Sequence, residues 1–400
     1  MRIVFLDNTL DGNLFGGAQT FLYNILRGLK QRDIEVHIVT SGIPSAITAQ
    51  NIANAGAIFH NTIWPRYSLV EEAAPVLATW LNQLAPDVFV VSVSPDIGWV
   101  VLPYLSPNIA TLAIGHNDSD TFYEPARHYA SFLTGAIGVS NEIVNNYITK
   151  SGINKENVIW IPYGIKSIIN ESDIKNSDPG EPVTLIYAGR IEDYQKRASD
   201  LIKIIQQLVK RKIDFRFRIV GDGPLFAKLK EELTPWISTG IVQLTGWLKN
   251  SELLEQLCQS EIFILTSAYE GFCISLVEAM ANGCCPVVTD IKSGNKQLVT
   301  DGKNGYIVHI GDIDDFVEKI SGLAANPALL LTLRKAAYKE GHTYSIDRMI
   351  DNYIDCFKKM IEKGKRQLRQ VNPDFPLMES CYSKYPKWVR KAKIFAKKYL

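Results

Sequence analysis

The run Glu270-Gly271-Phe272-Cys273-Ile274-Ser275-Leu276-Val277-Glu278-Ala279-Met280 carries the densest chemistry in the chain. The apolar stretch 262–266 before it reads as a strand that feeds a loop holding Glu270, with a helix opening near Ser275. Backbone N–H groups of Phe272, Cys273, Ile274 and Ser275 would then be free of intrahelical acceptors and available to phosphate or sugar oxygens. Glu270 in the loop and Glu278 in the first turns can reach two parts of one ligand. Carboxylates are good acceptors for paired vicinal hydroxyls such as those of ribose. Ser275-x-x-Glu278 is also a capping box, so these residues alone divide Glu278 evenly between helix cap and ligand contact.

Cations and glycines elsewhere suit the same kind of ligand. Gly189-Arg190 ends a strand and is followed by Gln195-Lys196-Arg197. Arg190 offers a planar fork and Lys196 a mobile point charge, together enough to hold a diphosphate, while Arg197 reads as a solvated surface residue. Gly221-Asp222-Gly223-Pro224 closes another strand, but Phe226 stands where the third glycine of a dinucleotide fingerprint belongs, so a tight turn is the simpler reading. Gly16 and Gly17 precede an amphipathic helix. They serve either a turn or a close backbone approach to a ligand. His116, in Gly115-His116-Asn117-Asp118 after a strand, is by itself more simply a structural histidine.

These residues must be held by alternating strands and helices. In the first half the strands are expected at 2–6, 35–40, 88–93, 111–114, 136–139 and 158–161; in the second at 183–188, 215–220, 241–245, 262–266, 286–289 and 305–308. Ala18, Phe21, Leu22, Ile25, Leu26 and Leu29 give one helix an apolar face between the first two strands. Such alternation predicts parallel sheets covered on both sides. The chain divides into a first Rossmann-like domain (1–166), an exposed polar linker (167–182), a second Rossmann-like domain (183–345), a helix crossing back to the first (346–365) and a basic amphipathic tail (366–400). The expected fold class is α/β: two facing doubly wound domains with the active site in the interdomain cleft.

Composition narrows the options. With 400 residues, 43 Lys+Arg, 42 Asp+Glu and 46% hydrophobic content, the chain is a two-domain globular protein, without the overall basic charge expected of a nucleic-acid binder. No apolar run approaches a membrane span, and the start reads as a strand and not a signal peptide. Six cysteines without C-x-x-C spacing suit a reducing cytoplasm and neither a disulfide framework nor a zinc site.

The ordered series Gly189-Arg190…Lys196, Gly221-Asp222-Gly223-Pro224, Glu270…Glu278, Glu278-Ala279-Met280-Ala281-Asn282-Gly283, Pro286-Val287-Val288 and Asp301-Gly302-Lys303-Asn304-Gly305 resembles the retaining glycosyltransferases of the large "family 4" group, which have the GT-B fold. The resemblance spans about residues 1–365 and is strongest in the second half. It implies a nucleoside-diphosphate sugar as donor, no cofactor and no essential metal. It also implies an acceptor glycan, glycolipid or protein, as in bacterial polysaccharide biosynthesis. Arg190 and Lys196 would neutralise the diphosphate, Glu278 take the ribose and Glu270 a hydroxyl of the donor sugar. Gly17 would meet the donor phosphates, and His116 would be the family's sugar-contacting histidine. Ile137-Gly138-Val139-Ser140 and Pro162-Tyr163-Gly164-Ile165 match two further segments that shape the cleft. Cys273 stands where Gly or Pro is frequent, and Arg197 replaces a frequent Gly.

Competing readings are a GT-B sugar-nucleotide epimerase, a catalytically silent binding subunit, and a metal-dependent GT-A enzyme built on Asp118-Ser119-Asp120 or Asp312-Ile313-Asp314. A dehydrogenase is excluded, because no strand–G-x-G-x-x-G–helix element exists. Residues 384–400 contain seven basic and no acidic side chains, with Trp388, Val389, Ala392 and Phe395 on one helical side. That pattern suits either an anionic membrane surface, placing the protein peripherally on the inner face, or packing on its own domain.

Overall fold

The computed structural model describes residues 1–7, 17–40, 46–61, 63–64, 68–93, 96–175, 180–292, 294–366, 370–378 and 387–392. They form two compact units, Met1–Gly164 with the chain from Ile346 onward, and Ile165–Ser345.

The first unit runs β1 (Arg2–Leu6), α1 (Gly17–Lys30), β2 (Glu35–Thr40), α2 (Ala46–Asn54), β3 (Ile58–Asn61), α3 (Val70–Leu84), β4 (Val88–Val91), α4 (Ile97–Val100), β5 (Ala110–Gly115), α5 (Asp120–His128), β6 (Gly135–Gly138), α6 (Asn141–Thr149) and β7 (Val158–Trp160). The strands pair in parallel in the order β3-β2-β1-β4-β5-β6-β7. Strands β4 and β5 are buried along their whole length, which is why they read as continuous apolar runs and not as alternating ones.

The second unit runs β8 (Val183–Ala188), α7 (Ser199–Lys210), β9 (Phe215–Val220), α8 (Phe226–Ser238), β10 (Val242–Gly246), α9 (Asn250–Cys258), β11 (Ile262–Leu265), α10 (Ile274–Ala281), β12 (Cys285–Thr289), α11 (Asn295–Leu298), β13 (Tyr306–Val308), α12 (Ile313–Ala325) and α13 (Pro327–Gly341). Its parallel order is β10-β9-β8-β11-β12-β13. Both units are therefore doubly wound and Rossmann-like. The strand order reverses between β1 and β4 in one and between β8 and β11 in the other, the place where such sheets bind ligands.

The described part of 167–182 is mostly exposed, as expected of a polar linker, but it is anchored: Ile174 is buried, Ser167 Oγ donates to Ala281 O (2.8 Å) and Ile168 N to Asn282 Oδ1 (3.0 Å), and Arg334 reaches Lys175 O (3.0 Å). The described part of this stretch belongs to the second unit. After it the last helix, α14 (Ile346–Arg366), lies in the first unit. Its buried stripe is Met349, Ile350, Tyr353, Cys356, Phe357 and Met360. Gly28 of α1 lets this helix approach, for a Cβ there would lie 2.4 Å from Ile350 Cγ1.

The described parts of the tail, 370–378 and 387–392, also pack on the first unit. Phe375 packs on His128, Tyr129 and Phe132. Lys387 and Lys391 pair with Glu72, and Arg390 pairs with Glu71 (2.9 Å), so three charges available for an anionic surface are engaged by α3. Trp388 is exposed. The rest of 384–400 lies outside the described residues. Among the described residues no helix is long and apolar enough to cross a membrane.

Candidate active site at the switch point of the second sheet

Loops leaving β8 and β11 are stapled together where the strand order reverses. Thr266 Oγ1 donates to Lys196 O (2.8 Å), Ala268 N to Gln195 O (2.7 Å), and Gln195 Nε2 to Tyr269 O (3.3 Å). These bonds bring Lys196 and Glu270 side by side, with Nζ 2.5 Å from Oε1, both side chains nearly buried. Glu270 also accepts from Ser267 Oγ (2.6 Å) and Gln195 Nε2 (3.1 Å). Burial, the largest single effect, would lower the Lys196 ammonium, but the Glu270 carboxylate and the neighbouring groups together hold Lys196 above the ordinary lysine value. Arg190, in the same loop after β8, is exposed and makes no ion pair among the described residues.

The glycines explain how the loops come so close. Gly221 has φ of +140°, and a Cβ there would lie 1.8 Å from Gly189 O. Gly223 has φ of +157°, with Ile191 O 2.5 Å from its notional Cβ. The turns after β8 and β9 thus lie backbone against backbone, and no side chain fits between them. Arg197 itself takes φ of +49° and pairs with buried Asp200 (2.7 Å), which accounts for a glycine being the frequent choice there.

Helix α10 starts one residue earlier than expected, at Ile274, with Cys273 as N-cap and no capping side chain. Ser275 is therefore inside the first turn, and the capping-box alternative for Glu278 is not realised. Phe272 and Cys273 are buried, and burial pushes the Cys273 thiol up to about 11, so it is neutral at physiological pH. Glu278 is buried and accepts from Asn250 Nδ2 (2.9 Å); burial raises its carboxyl to about 7 against the opposing pull of that amide. Of the remaining motif residues, Asn282 holds Ile168 N and Glu278 O, and Asn304 closes the 300–305 turn through Thr300 N and Leu298 O. Their part is architectural.

In the first unit His116 follows β5 and is buried, its Nε2 2.8 Å from Ser92 Oγ and its Nδ1 2.6 Å from Tyr163 OH. Phe21 of α1 packs on its ring (5.2 Å), so the helix opened by Gly17 and the histidine share one neighbourhood. Burial depresses the His116 imidazole to about 3, leaving it neutral. Gly16 lies outside the described residues. Both Asp-x-Asp alternatives have other work. Asp118 accepts from Tyr123 OH and Asn146, Asp120 pairs with Lys150, and Asp312 caps α12 through Asp315 N. Sequence reasoning missed Ser92, Ser267 and Asn250. Small polar residues at strand and helix ends carry no signal that separates them from ordinary turn formers.

Residues 15–167 match the family model described as Glycosyltransferase Family 4, and residues 168–340 match that described as Glycosyl transferases group 1. The chain belongs to the family 4 glycosyltransferases of the GT-B fold. It is 26% identical over 318 residues to a poly(glycerol-phosphate) alpha-glucosyltransferase of Bacillus subtilis, covering 75% of this chain and 46% of that protein. It is 25% identical over 351 residues to a lipopolysaccharide 1,6-galactosyltransferase of Escherichia coli, covering 79% and 87%. Among solved structures, the pneumococcal O-GlcNAc transferase GtfA in complex with UDP and GlcNAc superposes with a TM-score of 0.72 at 14% identity, over 90% of this chain and 99% of that one. The chain thus spans about half of the first relative's length and most of the second's.

Proposed function

We propose that this protein transfers a hexose-type sugar from a nucleoside diphosphate to an acceptor hydroxyl with retention of anomeric configuration, in bacterial glycan or glycolipid biosynthesis. The observation that carries the reading is the buried Lys196–Glu270 pair at the switch point, with the exposed Arg190 in the same loop as Lys196. An arriving diphosphate competes with Glu270 for the Lys196 ammonium while Arg190 supplies a planar fork. Glu270, released from Lys196, accepts a hydroxyl of the donor sugar. Two cations on the leaving diphosphate stabilise the charge that grows as the glycosidic bond breaks. The N-terminal end of α10 adds oriented N–H groups, and Glu278 takes the ribose hydroxyls.

The departing phosphate accepts the acceptor's proton in a front-face attack through an oxocarbenium-like transition state, so no carboxylate nucleophile is required. His116, neutral and bonded on both nitrogens, serves the donor sugar only by exchanging Ser92 or Tyr163 for it. Support comes from the family membership and from the sugar-transferring relatives. The test is a panel of UDP-, GDP-, ADP- and TDP-sugars screened for binding and turnover with the purified chain, followed by NMR of the early product. Inverted product, or no turnover of any donor with Lys196 and Glu270 intact, sinks the proposal.

A further inference from the structure

Among the described residues the Glu278 carboxylate has one side-chain partner, the Asn250 amide at 2.9 Å. Asn250 opens α9, four residues beyond Gly246, where the register of β10 on β9 shifts and φ reaches +75°. A buried carboxylate with a single neutral donor leaves most of its acceptor capacity unused. Helix α10 packs against α9, α13, β11 and β12. Of the charges on these elements, Glu252 of α9 accepts from Lys249 N, and on α13 Arg334 holds Gly283 O, Lys175 O and Glu261, Lys339 pairs with Glu171 and Glu340 accepts from Tyr344 OH. Strand β11 carries no titratable side chain, and the Cys285 thiol on β12 is neutral.

We infer that Asn250 is a positioning residue for donor binding: its amide fixes the Glu278 carboxylate so that the remaining lone pairs accept the vicinal hydroxyls of the nucleoside. The inference rests on the reading of Glu278 as the ribose contact. Two consequences follow from the charge. Diol hydroxyls donate to the ionised carboxylate, so binding favours loss of the Glu278 proton, and affinity rises as pH rises through about 7. The Asn250 N–H also favours the ionised form, so its removal moves that rise to higher pH.

The experiment is isothermal titration of the full chain with UDP, GDP, ADP and TDP, taking the tightest binder from pH 5.5 to 9. Asn250→Ala is expected to weaken binding about ten-fold at pH 7, the scale of a lost hydrogen bond to a charged group, and to recover part of it by pH 9. Asn250→Ser, which keeps a short donor, falls between the two and serves if the alanine variant does not fold. Glu278→Gln weakens binding and flattens its pH profile relative to wild type. If Glu278→Gln weakens binding but Asn250→Ala does not, the positioning role is overturned and the ribose reading stands. A loss in Asn250→Ala that is equal at every pH also overturns it. Wild-type affinity in Glu278→Gln, or no binding of any of the four nucleotides, overturns the ribose reading itself.

Discussion

The Lys196 ammonium lies 2.5 Å from Glu270 Oε1 and ties the loop after β8 to the loop after β11 across the point where the strand order reverses. Each charge is buried with the other as its answer. Removing either leaves an uncompensated buried ion, which is far more costly than removing both. Lys196→Ala and Glu270→Ala should each destabilise the second domain by roughly 3–5 kcal/mol. The neutral double variant Lys196→Met/Glu270→Gln should regain most of that in denaturant melts. Turnover should not return, because the cation is needed at the leaving diphosphate; a loss of about 10²-fold or more in kcat/KM is expected for every member of the cycle. A double variant with restored turnover would refute the role given to the pair.

His116 is expected to make the first domain acid-sensitive. Its folded-state value is depressed to about 3 by burial, against about 6.5 when unfolded, so the unfolded chain binds the extra proton between those values. The stability it contributes is complete above pH 6.5 and is lost as pH falls toward 3, at about 1.4 kcal/mol per pH unit. His116→Asn should be less stable than wild type at pH 7, with the gap narrowing by about 2 kcal/mol on going to pH 5. Urea titrations at the two pH values check this, and a pH-independent gap rejects it.

Gly221→Ala should damage the nucleotide side without touching a charged group. Its Cβ would sit 1.8 Å from the Gly189 carbonyl oxygen, backbone against backbone, at a φ that L-residues avoid. The loops after β8 and β9 must then separate, at a cost of roughly 2–4 kcal/mol. Arg190 and Lys196 move with the first of them. A thermal melt and a nucleotide titration should both shift; a variant as stable as wild type removes the argument that this close approach sets the site.

Which parts of this were readable beforehand depends on how local the signal is. Pro327 marks the first residue of α13, with Asn326 capping it, because both effects act within one turn. Strands β11 and β12 of the second sheet stand out as apolar runs because both their faces are covered. β3, by contrast, is short and carries His60 and Asn61 among its four residues, so it has no apolar run to announce it. The 167–182 stretch reads as a linker because its composition is polar, yet its anchoring depends on Asn282 and Arg334, more than a hundred residues away, which composition does not encode. The partnership of Lys196 with Glu270 spans 74 residues and becomes visible only once the two loops are stapled. Asn250 and Glu278, 28 residues apart, are joined the same way.

Glu278 gives the sharpest conflict between stability and binding. A carboxyl raised by burial to about 7 stays protonated in the folded chain while the unfolded chain ionises near 4.5. The folded state therefore holds the extra proton between those values, and stability falls as pH rises through that window, levelling off above about 7. Glu278→Gln keeps the shape and the contact with Asn250 but has no proton to lose. It should match wild type near pH 4.5 and be more stable by roughly 2–4 kcal/mol at pH 8, a melting shift of several degrees. The same variant should bind nucleoside diphosphate more weakly, as expected of a site that holds an unfavourable buried charge for function. Denaturant melts at pH 4.5, 6 and 8 beside nucleotide titrations check both halves. A glutamine variant less stable than wild type at pH 8 would show that the buried carboxylate contributes to the fold and is not carried at its expense.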